Sequence, residues 1–138
     1  IPIDLLIKAY IPKAVIQPYG SESISRLVSG LVFFDEDGHI VIEYNEKDSR
    51  EHKRFTLAHE LGHIMLGHVA GDVLYCGAVR DEFDHMANQF GAEILMPYDM
   101  VQHIKKVSPK ASCEKIAKFF GVSPKAMRYR LDTLGYRG

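Results

Sequence analysis

The chain has 138 residues, of which 46% are hydrophobic and 25% are charged, so it can bury a core without covalent staples. Its two cysteines, Cys76 and Cys113, are too few for a disulfide framework, and no apolar run reaches the roughly 18 residues of a membrane-spanning helix. With no apolar secretory segment visible at the N-terminus, these features predict a cytoplasmic globular protein without membrane partners.

The net charge of −1 conceals a division of charge along the chain. Residues 1–104 contain 8 Lys and Arg against 16 Asp and Glu, a balance of −8, whereas residues 105–138 contain 9 against 2, a balance of +7. This division predicts a first unit over residues 1–104 and a basic helical extension over residues 105–138. The extension either faces an acidic partner such as DNA or packs on the acidic body, and charge by itself leaves both interpretations open.

The first third of the chain has the pattern of short strands preceded by a short helix. Pro2 is suited to the first turn of a helix over residues 3–10. Asp37-Gly38 lies between two apolar, β-branched or aromatic runs and predicts a tight turn. We expect a small antiparallel sheet of about three strands, over residues 14–17, 31–34 and 39–44.

Apolar residues at helical spacing predict two long helices in the middle of the chain. The first follows the candidate caps Asp48 and Ser49, with Glu51 placed as in a capping box, and runs to about residue 66. The second covers about residues 80–95, and residues 68–79 between the two have the pattern of a loop.

Three shorter helices are expected near the C-terminus. Their candidate N-caps are Asp99, Ser112 and Ser123, and the helices are predicted over residues 100–106, 113–120 and 124–134. Strands followed by helices indicate an α+β class, with the sheet packed on the pair of long helices.

The first long helix contains the motif HExxH, in which His59 and His63 are separated by four residues. Side chains so spaced lie one turn apart on one helix face, where two imidazoles can bind the same zinc ion. Glu60 lies to the side of that metal and can act as the general base on a water molecule. The alternative is a pair of surface histidines on an amphipathic helix.

A catalytic zinc commonly has three protein ligands, and the second long helix offers three carboxylates for the remaining position: Glu82, Asp84 and Glu93. Asn88 shares a face with Asp84 and is a candidate hydrogen-bonding partner for a ligand. His68 and Cys76 are weaker candidates, because His68 does not fit the spacing of the longer metzincin motif. The residue that stabilises the oxyanion also stays open among Tyr75, His85, Tyr98 and His103.

The motifs together resemble the ImmA/IrrE family of metallopeptidases. The resemblance rests on Arg54–His63, which reads RFTLAHELGH, on Ala87–Pro97, which reads ANQFGAEILMP, and on the tail Ile116–Gly135. It covers about residues 31–136. It implies a gluzincin-like core, a zinc cofactor, and cytoplasmic cleavage of a helix-turn-helix repressor that controls mobile elements or stress responses.

The resemblance also points to Asp84 as the third ligand, because the family usually has a glutamate four residues before the equivalent of Asn88. Asp84 is one methylene shorter, so the two helices must approach more closely, and the small residues Ala87 and Gly91 permit this. Glu82 and Glu93 project in other directions around the same helix.

The basic C-terminal segment resembles a helix-turn-helix, which supports a second hypothesis: a DNA- or partner-binding regulator with a non-catalytic metal site. Its packing positions would be Ile116, Phe120, Met127 and Leu131, and the side chains facing outward or toward DNA would be Lys125, Arg128, Tyr129 and Arg130. The alternative, which we favour, is a helical hairpin that closes the domain. The intact Glu60 favours the peptidase over the regulator, since a structural metal site has no need of a base.

Overall fold

The computed structural model of the chain describes residues 2–18, 30–67, 69–70, 73–74 and 78–136. Within these ranges a three-stranded sheet, a two-stranded ladder and six helices confirm the predicted α+β class. The strands are β1 (Val15–Pro18), β2 (Gly30–Phe34), β3 (Ile40–Tyr44), β4 (Val69–Ala70) and β5 (Val73–Leu74). The helices are α1 (Ile3–Tyr10), α2 (Arg50–Met65), α3 (Ala78–Leu95), α4 (Tyr98–Val107), α5 (Cys113–Phe120) and α6 (Pro124–Thr133).

The predicted turn at Asp37-Gly38 joins β2 to β3 as an antiparallel hairpin. Gly38 has a φ of 81°, which a residue without a side chain adopts at little cost. Asp35 Oδ1 accepts hydrogen bonds from the backbone N–H groups of Asp37 (2.9 Å) and His39 (2.8 Å). The turn is therefore determined by local sequence.

The sheet is mixed, which corrects the expectation of a fully antiparallel sheet. Its order is β1-β3-β2, and β1 pairs with β3 in parallel. Pro18 at the end of β1 and Gly30 at the start of β2 are both register partners of Tyr44. The chain thus leaves and re-enters the sheet at the same end, on either side of β3. No local turn signal specifies this pairing, because it depends on packing between distant segments.

Helix α2 begins at the cap that the sequence offers. Ser49 is the N-cap, and its side chain accepts a hydrogen bond from the backbone N–H of His52 at 3.1 Å. Ser49, rather than Asp48, therefore fills the cap position, and Glu51 falls in the first turn, where its charge suits the helix dipole.

The expected loop over residues 68–79 contains more regular structure than predicted. β4 and β5 pair as a short antiparallel ladder, and α3 begins at Ala78, two residues before the expected start. Two-residue strands have no detectable alternation of apolar and polar residues, so the sequence carried no signal for them.

The C-terminal helices lie within about two residues of their predicted bounds. Ser112 and Ser123 cap α5 and α6 as expected, with oxygen-to-nitrogen distances of 3.2 and 3.1 Å. The prediction that Asp99 caps α4 was wrong, because the helix begins at Tyr98 and its N-cap is Pro97. Asp99 therefore lies in the first turn. Among the helices of the described ranges, none combines the length and the hydrophobicity of a membrane-spanning segment.

Helices α2 and α3 approach each other through small residues. A Cβ atom on Gly62 would lie 3.1 Å from both Cα and the carbonyl oxygen of Ala87. A Cβ atom on Gly91 would lie 3.3 Å from the backbone nitrogen of His59 and 3.4 Å from Cβ of Ala58. The close approach anticipated from Ala87 and Gly91 is thus present, and Gly62 is a third small residue in it.

Helix α5 is held against α2 by an arginine whose side chain is partly buried. The Arg54 guanidinium donates hydrogen bonds to the carbonyl oxygens of Gly121 (3.1 Å) and Phe120 (3.2 Å), which would otherwise be unsatisfied at the end of α5. Burial lowers the pKa of Arg54, neighbouring Arg50 lowers it further, and Asp4 raises it. Arg54 therefore acts as a C-terminal cap delivered from another helix.

A second arginine holds α6 against the end of α3. Arg130 donates to the carbonyl oxygen of Met96 at 3.0 Å and forms an ion pair with Glu93. Arg130 is 7% exposed, so the expectation that it faces outward was wrong. Its guanidinium points into the protein because it donates a hydrogen bond to a carbonyl at a helix end. Helical periodicity does not predict such a contact with another helix.

The other predictions for the C-terminal segment are confirmed by burial. Ile116, Phe120 and Met127 belong to one hydrophobic core together with residues of α1, the sheet and α2, and Leu131 packs against it. Lys125, Arg128 and Tyr129 are exposed. The division into units at residues 104 and 105 stays a prediction.

Replacing Arg54 by Met should lower the free energy of unfolding by about 1–3 kcal/mol, because two helix-end carbonyls lose their charged donor. Urea denaturation of the purified variant measures this. Arg50→Met is the matched control, since Arg50 lies exposed on the same helix and its replacement should change stability by at most about 0.5 kcal/mol. Equal stability of the two variants would contradict the capping role.

Replacing Gly62 by Ala should lower the free energy of unfolding by about 1–3 kcal/mol, because the new methyl group meets backbone atoms of α3. This loss should outweigh the better helix propensity of alanine, which is worth up to about 1 kcal/mol. Gly91→Ala, whose contacts would be 3.3–3.4 Å, should lose less. A Gly62→Ala protein as stable as the parent would show that α2 and α3 can move apart to accommodate the methyl group at no cost in stability.

Candidate metal centre

The two histidines of the HExxH motif face the same point. His59 and His63 lie one turn apart on α2, and their Nε2 atoms are 3.0 Å from each other. Their rings meet edge to face, with centroids 4.6 Å apart and an angle of 83° between the planes. Two imidazole nitrogens are thus directed to one small volume.

Asp84 on α3 joins the histidines. Its Oδ1 atom lies 2.8 Å from Nε2 of His63 and 3.3 Å from Nε2 of His59. Within the described ranges, these three residues form one of two groups whose possible metal-binding atoms all lie within 4.8 Å of one another. The contact depends on the close packing of α2 and α3 through Gly62 and Ala87.

The donor set fits a divalent transition metal. Nitrogen and carboxylate ligands at about 2.0–2.2 Å in a tetrahedral site are separated by roughly 3.3–3.6 Å, and the distances of 2.8–3.3 Å here differ from that by a few tenths of an ångström. The pairs His59–His63 and His63–Asp84 are closer together than this separation, whereas the pair His59–Asp84 already matches its lower end. Two neutral imidazoles and one carboxylate are also the chemical class of ligands that zinc accepts at catalytic sites.

Asn88 orients His59. Its Oδ1 atom lies 2.7 Å from Nδ1 of His59. Because an amide oxygen can only accept, the His59 ring donates from Nδ1, and its Nε2 then carries a lone pair facing His63 and Asp84. The hydrogen bond therefore selects the tautomer that can bind a metal.

The centre is accessible from one side. The side chain of His63 is fully buried, whereas those of His59 and Asp84 are 17% and 32% exposed. Glu60 is 3% exposed and follows His59 directly in α2. A donor cluster that is partly open to solvent leaves room for a water molecule or substrate at a bound metal.

The other two carboxylates of α3 lie elsewhere. Glu93 pairs with Arg130, and its Oε1 atom accepts a hydrogen bond from the backbone N–H of Tyr98 at 3.3 Å. Glu82 is exposed and is not part of the donor cluster. Of the three alternatives that the sequence left open, the structure brings only Asp84 to the histidines.

Several weaker candidates are not brought to the centre or cannot be placed. His68, Tyr75 and Cys76 lie outside the described residues. Tyr98 and His103 are exposed on α4. His85 follows Asp84 on α3 and is also exposed, and its Nε2 atom lies 3.3 Å from Nε2 of Gln89. The oxyanion-stabilising residue stays open.

Sequence reasoning missed a cavity of about 510 Å³ between α2, α3 and α6. Its walls include Phe55, Asn88, Met96 and Tyr129. Asn88 thus borders this cavity and also contacts Nδ1 of His59. Only packing of helices distant in the chain creates such a space, so no local motif could have revealed it.

A second cluster of possible metal-binding atoms lies in the β2–β3 hairpin, where Asp35, Asp37 and His39 come together. One carboxylate oxygen of Asp35 already accepts two backbone hydrogen bonds of the turn. Turn formation therefore explains this cluster.

Comparison with known proteins supports a relationship along most of the chain. The family model described as the IrrE N-terminal-like domain matches residues 25–132. Metallopeptidase ImmA of Bacillus subtilis (strain 168) is 31% identical over 98 residues, which cover 69% of this chain and 57% of that protein. A Mycobacterium tuberculosis transcriptional regulator of known structure aligns with a TM-score of 0.66 at 16% identity, over 94% of this chain and 39% of that one.

The likeness to the regulator concerns the fold, because the identity is low. The chain spans little more than half the length of ImmA, and the matched family region includes α2, α3 and the C-terminal helices. The resemblance inferred from the motifs is confirmed: this chain belongs to the ImmA/IrrE family of metallopeptidases.

Proposed function

We propose that the chain is a zinc-dependent endopeptidase that cleaves a helix-turn-helix repressor in the cytoplasm. His59, His63 and Asp84 hold the metal, Glu60 is the general base, and Asn88 orients His59. The observation that carries the proposal is the convergence of three donor atoms at 2.8–3.3 Å, two of them on the helix that also contains the buried Glu60. Membership of a metallopeptidase family supports it.

When bound, zinc supplies a Lewis acid that polarises a peptide carbonyl and makes water acidic near neutral pH. Glu60 accepts a proton from the attacking water and delivers it to the nitrogen of the departing amine, so the carboxylate ends the cycle unprotonated. The burial of its side chain keeps bulk water from competing for that proton.

The substrate class rests on the family resemblance, and the cytoplasmic setting on the low cysteine content. The competing function, a DNA- or partner-binding regulator with a non-catalytic metal, is supported by exposed basic side chains on α5 and α6, among them Lys118, Lys125 and Arg128. Glu60 distinguishes the two functions, since cleavage requires its carboxylate and binding does not.

Glu60→Gln should abolish cleavage while leaving the fold and the metal in place, because the amide keeps the shape of the side chain but cannot accept the proton. The expected loss of rate is on the order of 10²–10⁴. The measurement is cleavage of the helix-turn-helix repressor encoded nearest to this chain's gene, with zinc content determined in parallel. A zinc-loaded Glu60→Gln protein that cleaves at the parental rate would rule out the role of general base.

Asp84→Ala should weaken zinc binding by more than about 100-fold, because even the loss of a residue that only supports a ligand costs roughly 10–100-fold. Asp84→Glu should retain the metal. Competition with a chromogenic chelator measures the affinity.

Glu82→Ala is the matched control for Asp84→Ala and should bind zinc like the parent. Glu93→Ala should also bind zinc normally but should lose stability, since it breaks the ion pair with Arg130. Parental zinc affinity in Asp84→Ala, or a loss in Glu82→Ala, would refute the ligand assignment.

A further inference from the structure

Strand β2 has a glycine where its neighbours would predict an apolar side chain. Alternate residues of a strand face the same side, and Val32, two residues after Gly30, is 1% exposed and belongs to the core. Gly30 itself is buried at the inward-facing start of β2. A glycine at such a position weakens a strand, so its presence indicates a close approach by another group.

The backbone conformation does not explain this glycine. The described glycines with positive φ are Gly38, Gly67, Gly121 and Gly135. Gly30 is not among them, so other residues could adopt its backbone angles. The constraint at Gly30 is therefore one of space.

The space next to Gly30 is taken by the proposed general base. A Cβ atom on Gly30 would lie 2.5 Å from Cγ2 of Thr56, 3.0 Å from Oε1 of Glu60 and 3.2 Å from Cγ of Glu60. Thr56 and Glu60 are one turn apart on α2 and are 5% and 3% exposed, so neither side chain can move into solvent without leaving its packed position. Even the smallest side chain at position 30 would press on both.

Helix α2 thus has two functional faces. His59 and His63 meet Asp84 of α3 on one face, while Thr56 and Glu60 meet β2 on another. The strand therefore limits where the carboxylate of Glu60 can lie relative to the histidines.

We infer that Gly30 is a positioning residue for Glu60: the absence of its side chain provides the volume in which the carboxylate is held at the working distance from the metal ligands. The inference rests on the proposed role of Glu60. It requires that filling this volume changes turnover without removing a ligand or disturbing the contact between α2 and α3.

The test compares Gly30→Ala with the double variant Gly30→Ala/Thr56→Ser. The second substitution removes Cγ2 of Thr56, the atom in the worst contact, and leaves the pressure on Glu60. Gly38→Ala is the control, because it strains the turn of the same hairpin at a φ of 81° with no atom within 4 Å of the added group.

For Gly30→Ala we expect kcat on the zinc-loaded protein to fall about 10–100-fold, since small misplacements of a catalytic group cost that much. KM for the repressor and the zinc affinity should each stay within about twofold. The double variant should regain thermal stability but keep the low kcat. Gly38→Ala should lose thermal stability and keep the parental kcat.

Parental kcat in Gly30→Ala, or recovery of kcat together with stability in the double variant, would overturn the inference. A crystal structure of the single or the double variant, whichever of them folds, provides a readout that does not depend on cleavage. A displaced Glu60 carboxylate with β2 in place supports the inference, and a displaced β2 with Glu60 unmoved overturns it. If the parent cleaves nothing, the proposed function fails on its own, and the crystal structure still decides whether Gly30 determines the position of the Glu60 carboxylate.

Discussion

The close approach of α2 and α3 is the constraint on which the candidate metal centre depends. Gly62 and Ala87 bring the helix backbones so near that a single added carbon atom would contact the main chain. Only at that distance does the short arm of Asp84 reach His63, at 2.8 Å. The shorter side chain of this candidate ligand is thus combined with tightly packed helices.

The position of α2 between α3 and the sheet assigns different tasks to its two sides. Toward α3 it presents the two histidines, whose orientation is completed by Asn88. Toward β2 it presents Glu60, which lies against the start of the strand. The proposed metal ligands and the proposed general base are therefore supported by different packing contacts, so each can be perturbed by mutation separately from the other.

The C-terminal helices are tied to the same helix pair by two arginines. Arg54 of α2 caps the end of α5, and Arg130 of α6 bonds the end of α3. Part of the excess positive charge after residue 104 is thus used internally, where it satisfies carbonyl and carboxylate groups of the acidic part of the chain. The cavity between α2, α3 and α6 is a product of this docking and borders Asn88.

Local sequence was sufficient for most of the secondary structure. The Asp37-Gly38 turn and the serine caps at Ser112 and Ser123 depend on hydrogen bonds between residues at most four positions apart, so they can be inferred from short patterns. The i, i+4 spacing of His59 and His63 likewise brings their nitrogens together on any regular helix, because one turn separates them.

Contacts between distant segments could be decided only by the tertiary structure. Three carboxylates on α3 had suitable chemistry, and the relative position of two helices determined that Asp84 faces the histidines while Glu93 pairs with Arg130. The parallel pairing of β1, the inward direction of Arg130 and the contact of Gly30 with Glu60 have the same origin. By itself, the sequence determined the helices and the residues able to bind a metal. Which of these residues come together in the candidate metal centre was decided by folding, because it depends on distances of a few ångströms between groups more than 20 residues apart.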